Sequence, residues 1–252
     1  MNVLVIGGCH VGNYGVRAHL GFVQQWATHL KMSTHDPVHI TCLSMVKLEH
    51  IPSLLSQYHS ELIEADLIIL QLGHYELSWR KRFSELFQKV SEASKVCSTY
   101  RPTSATSLTT ATFPHKPTHI SRWEQLKNEL KTTFLRAYSR LGGAIPFLEQ
   151  FKDDLLKAFG QLTAYRDKIV VLTPFPTMNK LDYWLREETN SFIINSATET
   201  GLHVADTFEA VPCQKTYFLA DGVHLNSLGH IIMALYLSEL PLPEKQLPAQ
   251  HV

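Results

Sequence analysis

The chain has no long apolar run, no excess of either charge and few cysteines, and each absence removes a class of function. No stretch approaches the roughly 18 to 20 consecutive apolar residues that a membrane span requires. Lys and Arg total 23, Asp and Glu total 23, and the pI is about 7.2. There is thus no basic stripe for nucleic acid or an anionic membrane surface. The four cysteines, Cys9, Cys42, Cys97 and Cys213, include no CxxC pair and read as reduced thiols, not a disulfide framework. HxH and HExxH spacings are also missing, so the 14 histidines carry no zinc motif. No basic and apolar leader precedes the first strand. A secretory signal is therefore not expected, and the expected compartment is the cytoplasm.

What is present is the material of one α/β domain. The 252 residues, 44% of them hydrophobic, suffice for a sizeable core. Short β-branched runs read as strands at 2–6, 38–43, 65–73, 168–173 and 202–206. The run Ala65-Asp-Leu-Ile-Ile-Leu-Gln-Leu-Gly73 is apolar enough for a central strand buried on both faces. Helical spacing appears over 16–30, 48–58, 76–96, 122–141, 146–164 and 182–200, the last closed by Gly201, and again after the loop ending at His230. Trp79, Trp123 and Trp184 fall on helical faces and are expected in the core, with Trp79 and Trp123 as pocket candidates. Residues 98–121 are rich in Ser, Thr and Pro and read as a long loop. Every strand-to-strand connection is long enough for a crossover helix. The expectation is a three-layer α/β/α sandwich around a five-stranded parallel sheet. A single domain over 1–240 would carry an insertion at about 77–165, followed by a disordered tail over 241–252.

Chemistry-bearing residues collect where such a sheet binds ligands, at the carboxyl edge. Gly7-Gly-Cys-His10 ends the first strand, Gly73-His-Tyr-Glu76 the third, and Asp221-Gly-Val-His224 precedes the last helix. In the last loop the carboxylate is spaced to orient the imidazole, which can then serve as base toward a nucleophile on another loop. Cys9 is the one Cys or Ser at a glycine-flanked strand end. A helix start and a histidine beside it favour the thiolate. The bland alternatives are a small buried thiol at Cys9, a helix-capping loop at 221–224 and a hydrogen-bonding role for His10. His10 and His74, with His224 or Glu76, form the alternative metal grouping.

On these residues the chain resembles the SGNH/GDSL hydrolases. Gly7-Gly8-Cys9 matches the family's first block, Gly73-His-Tyr-Glu76 its GxND block, and Asp221-Gly-Val-His224 its DxxH block, with Leu225-Asn-Ser-Leu-Gly-His230 trailing as in members. Three departures stand out. Cysteine replaces the nucleophilic serine, Tyr75 replaces the oxyanion-binding asparagine, and no glycine follows the second strand in Leu43-Ser-Met-Val-Lys47. The resemblance implies a flavodoxin-like sandwich that hydrolyses a carboxylic ester, or an O-acetyl group on a saccharide, through a covalent acyl-enzyme without a cofactor or metal. Cys9 would be nucleophile, His224 base and Asp221 its orienter. Gly8, Gly12, Asn13, Gly73, Tyr75, His10 and His74 would line the oxyanion and substrate site, with Tyr75 otherwise a pocket wall. A thioester intermediate also suits an acyltransferase. The missing serine, asparagine and glycine motivate a rival reading, a ligand-binding member without catalysis.

Overall fold

A computed structural model describes residues 1–34, 37–78, 83–87 and 122–241. Five parallel strands, β1 (Asn2–Ile6), β2 (His39–Leu43), β3 (Leu67–Gln71), β4 (Ile169–Leu172) and β5 (His203–Ala205), form one sheet in the order β2-β1-β3-β4-β5. The expected five-stranded α/β sandwich is the architecture found. The chain steps outward from β1 in one direction to β2 and in the other through β3, so the topological switch point lies between β1 and β3. Ligands in doubly wound sheets bind at the carboxyl side of that point. Cys9 follows β1 and His74 follows β3.

The period-2 alternation of the strands divides the core into two layers. Leu4, Ile6, Ile68, Leu70, Ile169 and Val171 face the helices α2 (Ile51–Gln57), α3 (His59–Glu64), α5 (Pro146–Leu162) and α6 (Lys180–Glu199). Val3, Val5, Leu67, Ile69, Val170 and Leu172 face α1 (Phe22–Thr34) and α8 (Ser227–Glu239). Every residue of β3 is buried, as its unbroken apolar run implies. The short α7 (Thr207–Ala210) follows β5.

The first helix is shorter than its sequence pattern suggests. A 3₁₀ turn covers Ala18–Leu20, Gly21 is extended, and α1 begins only at Phe22. The side chain of Asn13 lies against Gly21, where any Cβ would collide with it. Between β3 and β4 the structure places a 3₁₀ segment at Phe83–Phe87, then α4 (Arg122–Arg140) and α5. Most of the helix expected over 76–96, including Trp79, lies outside the described residues, as do the loop expected over 98–121 and nearly all of the expected tail. The core expectation for the tryptophans holds at Trp184, which is 1% exposed, and fails at Trp123, which is 63% exposed. On α4 the buried positions are Asn128, Thr132 and Leu135, while Trp123, Leu126, Leu130 and Phe134 face outward. The helix is therefore rotated relative to the face its apolar spacing selects. Among the described residues, no helix is long and apolar enough to cross a membrane.

Candidate active site

The loop before α8 is built around one carboxylate. Asp221 Oδ1 accepts the N–H groups of Val223 and His224 at 2.9 and 3.0 Å, closing an Asx turn. Its other oxygen, Oδ2, pairs with His224 Nδ1 at 2.7 Å. Gly222 turns the chain with φ +66, and a Cβ there would stand 2.9 Å from the Met178 Cβ. A side chain is thus excluded at Gly222 by both conformation and space. The Gly222 carbonyl accepts the Met178 N–H at 2.6 Å, which ties the loop to the segment after β4. Asn226 caps α8 by accepting from Leu228 and Gly229, and its amide donates to Thr216 and Phe218 carbonyls.

Cys9 enters from the end of β1. Gly7 is required there because a Cβ would lie 2.8 Å from Val11 Cγ2 and 2.9 Å from the Gln71 Cβ. The following turn is closed by Tyr14 N–H to the Cys9 carbonyl and Asn13 N–H to the His10 carbonyl. Cys9 itself is 7% exposed. Two imidazoles stand beside its thiol. His10 Nδ1 is 3.8 Å from Sγ, and His224, whose ring centroid is 5.4 Å from that of His10, lies near enough for the sulfur to raise its pKa.

The two imidazoles differ in charge. Burial pushes His224 down, but its bond with Asp221 and the neighbouring Cys9 sulfur outweigh burial and lift it to about 9. Burial likewise raises Asp221, and its bonds to His224 and Val223 overcome this to bring it to about 2. His10 is held well below the ordinary histidine range by burial and by the charges of His74, His224, His230 and Arg186. His74 is held down by burial, Arg186 and His224, and His230 falls to about 3 through burial and His224.

Three of these rings are frame pieces. His10 Nε2 accepts the Leu225 N–H at 3.3 Å, His74 Nε2 the Phe175 N–H at 3.3 Å, and His230 Nδ1 the Phe22 N–H at 3.0 Å. Arg186 on α6, 1% exposed, donates to the Phe175 carbonyl at 2.5 Å and the His74 carbonyl at 3.5 Å, so it joins the ends of β3 and β4. His230, Arg186 and Tyr14, whose ring lies 4.2 Å from that of His224, are site residues that sequence reasoning passed over. His230 sits inside a quoted motif, whereas Tyr14 and Arg186 give no local signal. The metal grouping does not form in this arrangement. Glu76 Oε1 accepts the Leu48 N–H at 2.8 Å, and no three His, Cys, Asp or Glu residues among those described are placed to hold an ion.

The expected oxyanion residues separate. Among the described residues, the N–H groups of Gly8, Cys9 and Gly12 have no protein acceptor. Asn13 uses its N–H in the turn and rests its side chain against Gly21. The Tyr75 ring approaches Gly8 and its hydroxyl donates to the Met45 sulfur, the position of a wall. Gly73 adopts φ +91 at the end of β3, packed against Pro174 and Phe151. In the segment after β2, where the sequence has no glycine, Met45 takes φ +63.

No protein-family model matches the chain, and no curated protein does. Solved structures do. A lipase from a goat rumen metagenome superposes with a TM-score of 0.57 at 15% identity, over 94% of this chain and 95% of that one. A catalytic mutant of an acetylxylan esterase from Geobacillus stearothermophilus gives 0.54 at 13%, over 94% and 91%. A lipase/acylhydrolase from Enterococcus faecalis gives 0.52 at 12%, over 94% of each chain. Identities this low establish the fold alone, the three-layer α/β/α sandwich around a five-stranded parallel sheet expected from the sequence.

Proposed function

We propose that this protein cleaves carboxylic esters by way of a thioester on Cys9. The observation that carries the reading is the 2.7 Å carboxylate–imidazole bond of Asp221 and His224, with the Cys9 sulfur close enough to the same imidazole to help raise it. His224, raised by Asp221 and the neighbouring Cys9, is the group that takes the proton of Cys9 as the sulfur becomes the nucleophile. The sulfur attacks the ester carbonyl, and the oxyanion that forms is met by the N–H groups of Cys9 and Gly12. Collapse breaks the C–O bond, and His224 gives its proton to the leaving alcohol. Water then attacks the thioester with His224 as base, releasing the acid and restoring the thiol. The low exposure of Cys9 favours a small acyl group. The esterase and acylhydrolase names of the structural neighbours support the same class. An O-acetylated saccharide is the first substrate to try, since an acetyl-xylooligosaccharide esterase shares the fold.

The test is intact-protein mass after brief exposure to an activated acetyl ester. Wild type gains one acetyl group, Cys9→Ala gains none, and His224→Ala gains it far more slowly. Ester turnover that survives Cys9→Ala overturns the reading. A wild-type protein that neither acylates nor turns over ester overturns it in favour of a binding module.

A further inference from the structure

The second imidazole at Cys9 has a task that burial and tautomer assign together. His10 is 0% exposed. A neutral imidazole has one nitrogen that accepts and one that donates. The Leu225 N–H points at Nε2 at 3.3 Å, so Nε2 carries the lone pair and Nδ1 carries the hydrogen. Nδ1 is the nitrogen 3.8 Å from Cys9 Sγ, within hydrogen-bond range for a large sulfur acceptor. His10 cannot therefore take the thiol proton. It can only donate to the sulfur.

From this geometry we infer that His10 is a second catalytic residue, a tautomer-locked hydrogen-bond donor to the Cys9 sulfur that stabilises its thiolate while His224 carries the proton. The inference rests on Cys9 being the nucleophile. Division of labour explains why the ring is walled in. Its neighbours from every side are Cys9, His74 after β3, Phe175 after β4, the His224 loop, His230 on α8 and the charge of Arg186 on α6. A cation placed among those groups is disfavoured, so the donor stays neutral and its hydrogen stays on Nδ1. Two protonated imidazoles around one sulfur would repel each other. One protonated and one neutral ring both donate to it without that cost.

Two measurements test this. The first is the ¹⁵N–¹H correlation of the His10 ring in the wild-type protein. A hydrogen on Nδ1 is expected, and a hydrogen on Nε2 overturns the inference. The second is the rate at which iodoacetamide alkylates Cys9, read by peptide mass at pH 6 and pH 9. In His10→Phe the pH 6 rate falls about tenfold while the pH 9 rate stays within about twofold, because a hydrogen bond to a charged acceptor matters only where thiol and thiolate compete. His10→Gln, which keeps a donor and an acceptor, restores most of the pH 6 rate and serves if the Phe variant is poorly folded. Equal losses at both pH values, or none, mean that His10 only holds Leu225 and overturn the inference. Wild-type Cys9 that resists alkylation at both pH values overturns the functional reading instead, and the ring correlation still decides the tautomer.

Discussion

Four imidazoles crowd the carboxyl edge of the sheet, and they divide into two regions with opposite protonation. His10, His74 and His230 are buried, each accepting a backbone N–H, each held below its ordinary titration range. His224 sits in the loop before α8, where it is the one that faces a carboxylate, and it is lifted to about 9. Burial pushes all four in the same direction. The partner decides the outcome: an N–H donor demands a lone pair, whereas a carboxylate demands a proton. One side chain type thus supplies a rigid neutral frame and a charged working group within a few ångströms.

Asp221→Asn breaks this contrast most completely. The amide still accepts backbone N–H groups, so the turn survives, but His224 loses its charge partner and becomes a fourth neutral ring. Ester turnover at pH 7 is expected to fall about 10³- to 10⁴-fold, the size seen when the orienting carboxylate of such a triad is removed. The check is kcat in parallel with circular dichroism. Unchanged turnover with intact fold would remove the carboxylate from the mechanism.

The pH dependence of stability should show both regions at once. The three frame histidines have folded values depressed below 6.5, so below that pH the unfolded chain takes protons that the native state refuses. Stability falls as pH drops, by up to roughly 4 kcal/mol per pH unit for the three together. His224 runs the other way. Its raised value stabilises the fold fully below 6.5, and that contribution is lost as pH rises through about 9, at no more than about 1.4 kcal/mol per pH unit. Asp221, depressed to about 2, loses its contribution only as pH falls below the usual carboxylate range. Urea unfolding at half-unit pH steps should therefore give an acid arm about three times steeper than the alkaline arm. His230→Phe flattens the acid arm by about 1.4 kcal/mol per pH unit. A symmetric profile would mean that the buried rings titrate in the native state.

Gly222→Ala tests how firmly the charged region is held. The added Cβ meets Met178 at 2.9 Å in a left-handed backbone, and a cost of about 1–3 kcal/mol is expected in thermal unfolding. Because this glycine shapes the Asx turn, turnover should fall along with stability. Stability loss without activity loss would show that the loop re-forms around the methyl group.

The legible part of this molecule was the part written in local periodicity. The β1 and β3 runs, the Asp221–His224 spacing and the glycine-ended strands all announce themselves in a few adjacent residues, and the sheet order then brings them together. The orientation of α4 was not legible. Trp123, Leu126, Leu130 and Phe134 form an apolar stripe by spacing, yet Asn128 and Thr132 are the buried positions. Periodicity reports which residues share a face, not which face meets the core. The left-handed backbone of Met45 was not legible either, since that conformation is normally signalled by glycine. Arg186 and His230 were invisible as site residues because their partners are backbone groups distant in sequence, such as the His74 carbonyl for Arg186 and the Phe22 N–H for His230. Backbone partners leave no side-chain signature to read.

The smallest expected effect isolates what the charged ring gains from its aromatic neighbour. Tyr14 lies 4.2 Å from His224, centroid to centroid, with the planes tilted by 36°. An aromatic face attracts a cation and is indifferent to a neutral ring, so Tyr14 should favour the protonated form of His224 by about 0.5–1 kcal/mol. Tyr14→Leu keeps an apolar contact and removes the π face. The titration of His224, followed by its ring proton shifts, should move down by about half a pH unit. His10, 5.4 Å from His224 on a different edge, should not move. A shift confined to His224 would establish that its charge is held from two sides, by Asp221 in the plane of the ring and by Tyr14 across it. No shift would leave Asp221 and the Cys9 sulfur as the causes, and the contrast among the four imidazoles would then rest on those two partners alone.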